Sequence, residues 1–183
     1  MSGKIILNSL QIDILLNRLI CQLIEKHQNF NNTVLIGLQP RGVFLLDRLL
    51  FLLKNKYNIK NILSGKLDIT FFRDDFRRSD KPLKPNFSLI DISVEGKSVI
   101  FIDDVLYTGR SIRAALSAIE TYGRPIEIEL LILIDRRFSR HLPIQPDYIG
   151  RQVDALQNDK VKVNWIENDN EDSIYLIRGN EGK

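Results

Sequence analysis

Residues 99–116 read V-I-F-I-D-D-V-L-Y-T-G-R-S-I-R-A-A-L. Val99, Ile100, Phe101 and Ile102 have the composition of a strand buried on both faces. Asp103 and Asp104 follow at once, and Thr108-Gly109-Arg110-Ser111 then turns the chain into a helical pattern. Ile112, Ala115, Leu116 and Ile119 fall on one face of that helix. In an open parallel sheet, ligands bind where strands end and helices begin. The start of a helix offers unpartnered amides and the positive end of its dipole. Thr108 and Ser111 add hydroxyls, and Gly109 lets backbone approach a ligand. Together they make a cradle for about one phosphate. Carboxylates cannot serve that anion; they suit sugar hydroxyls or Mg²⁺ beside it. Neighbouring strand residues point to opposite faces, so Asp103 and Asp104 are expected to do different work. A phosphate next to a diol is a sugar phosphate.

Working outward, Asn8 or Ser9 caps a helix whose apolar stripe is Ile12, Leu15, Leu16, Leu19, Leu23 and Ile24. Arg18, Glu25 and Lys26 face water, and Cys21 reads as a packing residue. Residues 33–38 form a buried strand that ends at Gln39-Pro40-Arg41-Gly42, before a helix through Phe44, Leu45, Leu49 and Leu52. Arg41 thus sits at a strand end, where its forked donors suit a diphosphate. Residues 62–72 read as a longer strand. The charged, aperiodic run 73–86, with two prolines, reads as a lid. Further strands are expected at 88–93, 126–134, 148–153, 161–165 and 173–177, with a frayed tail at 179–183. Tyr122-Gly123 stops the central helix. The alternation of strand and helix calls for an α/β fold, a mainly parallel sheet flanked by helices, with the later short strands forming a hood.

The chain of 183 residues, 44% of them hydrophobic, supports one domain with a real core. A net charge of +3 is compatible with a polyanionic partner. One cysteine excludes an intrachain disulfide and a cysteine-rich zinc site, which suits the cytoplasm. No apolar run is long enough to span a bilayer, and no signal peptide is evident.

Residues 103–111 resemble the 5-phosphoribosyl-1-diphosphate (PRPP) motif of type I phosphoribosyltransferases: apolar strand, two acids, then T-G-x-[ST]. The wider resemblance is to the PyrR family, pyrimidine-operon attenuators that are also uracil phosphoribosyltransferases. I-G-L-Q-P-R-G at 36–42 is similar to its diphosphate loop, and D-I-T-F-F-R-D-D at 68–75 to its flexible-loop signature. Leu142-Pro143-Ile144 and Asp147-Tyr148-Ile149-Gly150 resemble its hood. The likeness runs from Ile6 to about Val163.

That resemblance implies a type I phosphoribosyltransferase domain over 1–183, with a flexible loop at about 73–87 and a hood at about 135–178. Asp103 and Asp104 would hold the ribose hydroxyls and Mg²⁺. Tyr107, Thr108, Gly109, Arg110 and Ser111 would bind the 5′-phosphate. Arg41 and Gly42 would bind diphosphate, joined by Arg73 on the lid, and Asp135 and Arg136 would border the base. The implied reaction converts PRPP and uracil to UMP and diphosphate, in a homodimer or higher homo-oligomer. The alternative is an RNA-binding attenuator that senses uridine nucleotides, with little catalysis. Members that bind RNA carry threonine and histidine where this chain has Asn17 and Cys21, and their hood motif is replaced here by Asp154-Ala155-Leu156. Arg137 also replaces the glycine expected after Asp135-Arg136.

Overall fold

The computed structural model describes residues 3–72 and 88–179. The lid expected at 73–87, with Arg73, lies outside them. In chain order the strands are β1 (Lys4–Leu7), β2 (Thr33–Leu38), β3 (Leu63–Leu67), β4 (Ser98–Leu106), β5 (Glu127–Arg136), β6 (Tyr148–Val153), β7 (Lys160–Asn164) and β8 (Ser173–Ile177). The helices are α1 (Ser9–His27), α2 (Gly42–Asn55), α3 (Arg110–Ile119) and the single turn α4 (Ile166–Asp169).

β4 sits at the centre of a five-stranded sheet, ordered β3-β2-β4-β5-β6, in which every pairing is parallel. Alternate residues of β4 serve two cores. Ile100 and Ile102 pack with Leu16, Leu19 and Leu23 of α1 and Leu45 and Leu49 of α2. Val99 and Phe101 pack with Ile112, Ala115 and Ala118 of α3. Helices on both faces explain why the strand is apolar throughout. The same alternation delivers Asp103 and Asp104 to different surroundings at the strand end.

Asn8 caps α1 through a capping box: its Oδ1 accepts the Gln11 amide at 3.0 Å, and the Gln11 Oε1 accepts the Asn8 amide at 3.0 Å. Arg18, Glu25 and Lys26 are exposed. Cys21 is exposed too, against the packing role expected of it. On α3 the buried stripe is wider than the spacing suggests: Ala114 and Ala118 are buried, and Leu116 stands 37% exposed.

A second, antiparallel sheet, β1-β8-β7, forms the hood. Its composition corrects the expected hood in two ways. β6 completes the large sheet instead, and β1 joins from the opposite end of the chain. Residues 62–72 do not form one strand: β3 ends at Leu67, and a single 3₁₀ turn follows at Thr70–Phe72. There the Asp68 Oδ1 accepts the Thr70 amide at 2.8 Å, a side-chain turn that competes with the ladder. The strand expected at 88–93 reduces to one bridge between Lys66 and Leu89. Gly179, expected to fray, donates its amide to Asp159 Oδ1 at 3.0 Å.

Candidate active site

The C-terminal ends of the parallel strands carry the chemistry-bearing residues. β4 carries Asp103 and Asp104 just before its end at Leu106, and the chain then turns through Tyr107 and Thr108 to Gly109, the N-cap of α3 at φ +89°. A non-glycine residue is strained there, and an added Cβ would lie 3.2 Å from Ile144 Cδ1. The Arg110 amide donates to Thr108 Oγ1 at 3.4 Å, across the turn. A cavity of about 350 Å³ opens at this corner, lined by Asp103 and by residues 105–112. Asp103 therefore shares one cavity with Tyr107, Thr108, Gly109, Arg110 and Ser111. Its Oδ1 also accepts the Asp104 amide at 2.9 Å.

Asp104 turns elsewhere. It is buried, and its Oδ2 accepts from Arg41 Nε at 3.3 Å. Burial pushes its carboxyl above the usual range, while Arg41 and the Val105 amide pull in the opposite direction. Arg41 reaches from the start of α2 to the hood: its Nη2 donates to the Val163 carbonyl and, at 3.0 Å, to Asp169 Oδ2. The Trp165 amide and Arg41 both hold Asp169 below the ordinary carboxylate range. The next residue, Gly42, is buried against the end of β4. An added Cβ would stand 2.3 Å from the Ile102 carbonyl oxygen, so only glycine lets α2 start this close to Asp103.

Asp135 and Arg136 end β5, and both are buried. The Arg136 guanidinium stacks 3.8 Å from the centre of the Tyr107 ring and donates to the Leu156 carbonyl at 3.0 Å. Among the described residues its Nε has no hydrogen-bond partner. Asp135 accepts from Arg140 Nη2, and from Gln152 Nε2 at 3.3 Å. The structure thus gathers Asp103 with the 107–111 loop, Asp104 with Arg41, and Arg136 with Tyr107. Sequence reasoning gave no role at this site to Arg140 (a basic residue counted towards RNA binding), Gln152 or Asp169. Gln152 and Asp169 reach their partners through the tertiary fold, Arg140 turns back on Asp135 across a loop, and no spacing rule marks them.

A family model described as the phosphoribosyl transferase domain matches residues 2–166. Among solved structures, the hypoxanthine phosphoribosyltransferase of Trypanosoma cruzi superposes with a TM-score of 0.70 at 16% identity, covering 97% of this chain and 98% of that one. A hypoxanthine phosphoribosyltransferase from Staphylococcus aureus gives 0.68 at 16% identity, over 97% and 93%. These likenesses establish the type I phosphoribosyltransferase fold. Among curated relatives, the bifunctional protein pyrR of Enterococcus faecalis is 38% identical over 181 residues, 99% of this chain and 100% of the relative. The bifunctional protein PyrR of Pediococcus pentosaceus is 41% identical over 175 residues, 94% and 98%. The chain belongs to the PyrR family of phosphoribosyltransferases.

Proposed function

We propose that the protein transfers the 5-phosphoribosyl group of PRPP to uracil, forming UMP and releasing diphosphate. The observation that carries this reading is that Asp103 and the 107–111 loop line the same cavity at the mouth of β4. That loop grips the 5′-phosphate with its amides and the Thr108 and Ser111 hydroxyls. Asp103 accepts hydrogen bonds from the ribose hydroxyls. Arg41 meets the diphosphate by exchanging its contacts with Asp169 and Val163 for phosphate oxygens. Asp135 and Arg136 border the base.

In the reaction, the C1–O bond to diphosphate breaks and its electron pair leaves with diphosphate. A pyrimidine nitrogen supplies the new pair to C1, and its proton is released. Positive charge develops on the sugar between these events, and carboxylates fixed beside it stabilise that state without reorganising. The donor set fits a metal brought in with substrate: Asp103 offers one carboxylate to the cavity, its neighbour Asp104 is held by Arg41, and no group of three or more His, Cys, Asp or Glu that could hold a metal is found among the described residues. Mg²⁺, when bound, supplies positive charge to the departing diphosphate.

The test is an assay of diphosphate and UMP with PRPP, Mg²⁺ and a panel of free bases. Release with uracil alone is the expected result. No diphosphate with any base would overturn the transferase reading.

A second reading, regulation through RNA, is favoured by the near full-length match to relatives named bifunctional. At the two α1 positions where RNA-binding members differ, the side chains here bond within the protein. Asn17 Nδ2 donates to the Asp13 carbonyl at 2.7 Å, and Lys56 Nζ donates to Asn17 Oδ1 at 2.6 Å. Cys21 Sγ lies 3.5 Å from Tyr57 Oη. Salt-dependent binding of a pyrimidine-operon leader RNA supports this second role; absence of binding at low salt removes it.

A further inference from the structure

A second cavity, of about 410 Å³, opens beside the ends of β5 and β6, lined among others by Asp135, Arg140, Ile144 and Gln152. It shares no lining residue with the cavity at the 107–111 loop. Arg140 joins the two walls. Its Nη2 donates to the buried Asp135 carboxylate, and its Nη1 donates to the Tyr107 carbonyl at 2.7 Å. The next residue continues the seam, the His141 amide donating to the Thr108 carbonyl at 3.0 Å. Leu142 and Ile144 then pack against Gly109.

These contacts bear on anion binding through the geometry of the peptide unit. In a trans peptide the carbonyl and the following N–H point in opposite directions. Pinning the carbonyls of Tyr107 and Thr108 from the 140–141 side therefore turns the amides of Thr108 and Gly109 away from that side. Residues 108 and 109 both line the loop cavity. The Asp135 end makes the pin stiff, because a buried carboxylate holds its guanidinium partner firmly. Only a fork reaches both acceptors in this way.

We propose that Arg140 is a positioning residue: by bridging Asp135 and the Tyr107 carbonyl, it presets the amides of the 107–111 loop for the 5′-phosphate of PRPP. This rests on the transferase reading for the identity of the phosphate. Arg140 itself touches no reacting atom, so its loss weakens PRPP binding more than it slows turnover.

The experiment compares the wild-type protein with Arg140→Ala and Arg140→Lys, measuring KM for PRPP, kcat, melting temperature and the Kd for PRPP with Mg²⁺ by calorimetry. For Arg140→Ala the expected result is a rise in KM and Kd of about tenfold, with kcat changed less than about threefold. Arg140→Lys falls between, since an ammonium group cannot span both acceptors. Millimolar guanidinium, admitted through the adjacent cavity, lowers the KM of Arg140→Ala, and equal concentrations of sodium do not. An unchanged KM, a KM that guanidinium does not lower, or a melting temperature, kcat and KM that all worsen together would each overturn the proposal. If the wild-type protein binds PRPP but releases no diphosphate, the transferase reading fails, and the Kd comparison still decides the role of Arg140. If the wild-type protein binds no PRPP, both fall.

Discussion

Asp104 is only 8% exposed, yet it carries a carboxylate whose charged partner, Arg41, stands at 3.3 Å. Burial raises its pKa, and the net direction stays upward even with the attraction of Arg41 included. A carboxyl raised in the folded state contributes stability below its unfolded pKa of about 4, and that contribution is lost as pH rises through the folded value. Ionised Asp104 therefore costs folding energy at neutral pH, which is a reason to regard the residue as functional. Asp104→Asn is expected to be at least as stable as the wild-type protein at pH 7. The difference should shrink as pH falls towards the ordinary carboxylate range, measured by denaturant midpoints between pH 5 and 8. The same variant is expected to lose about 10²-fold in kcat/KM for PRPP. A variant less stable at neutral pH, or one with unchanged turnover, would show that the acidic pair has been misassigned.

Elements place these side chains, and α2 meets β4 at close range. Gly42 begins α2 against the Ile102 carbonyl and Asp103, both backbone-anchored. Gly42→Ala is expected to push the helix start away and destabilise the fold by about 1–3 kcal/mol, read from denaturant unfolding, while raising KM for PRPP. Such an approach was not legible in the sequence, where Gly42 reads as a turn residue and, through the family resemblance, as part of a diphosphate loop. What was legible depends on local pattern. β2, β6 and β8 have the boundaries that their apolar runs imply, and the strand, loop and helix of 99–116 follow in the order read, although β4 runs on through the acid pair to Leu106 and Leu116 is exposed. β1 was missed because Lys-Ile-Ile-Leu is too short for any periodicity and its partner strand, Ser173–Ile177, is at the other end of the chain. β3 was read too long because Ile69, Phe71 and Phe72 continue its apolar composition. The Asp68 side chain ends the strand by bonding Thr70. The buried cluster of His27, Glu129 and Tyr148 was also invisible, since it joins α1, β5 and β6: His27 Nε2 lies 2.6 Å from Glu129 Oε2, and Tyr148 donates to that oxygen at 3.1 Å. Burial, with Glu129 beside it, holds the Tyr148 phenol protonated far above its ordinary range.

Across the whole molecule, two arginines tie the hood to α2, Arg41 at its N-cap and Arg48 within it, and they separate stability from chemistry. Arg48 donates to both oxygens of Asp172, at 2.7 and 2.8 Å, and to Glu167 at 2.9 Å, while its guanidinium lies 4.6 Å from the centre of the Trp165 ring. Trp165 is fully buried, so this clamp covers the hood's contribution to the core. Burial alone would raise the pKa of Asp172, but its bonds to Arg48 and the Ile166 amide hold it below the ordinary range. Arg48→Met leaves that carboxylate half-partnered and is expected to cost about 2 kcal/mol of stability. Its kcat/KM should change less than about threefold at temperatures where the variant is folded, because Arg48 does not reach the loop cavity. Arg41 also fastens the hood, through Val163 and Asp169, but its guanidinium lies beside Asp104. Arg41→Met is therefore expected to lose stability and turnover together. Melting curves and kcat/KM measured on both variants separate the cases. If Arg48→Met lost turnover as heavily as Arg41→Met, closure of the hood would be limiting the reaction, and the guanidinium of Arg41 would have no special claim on the diphosphate.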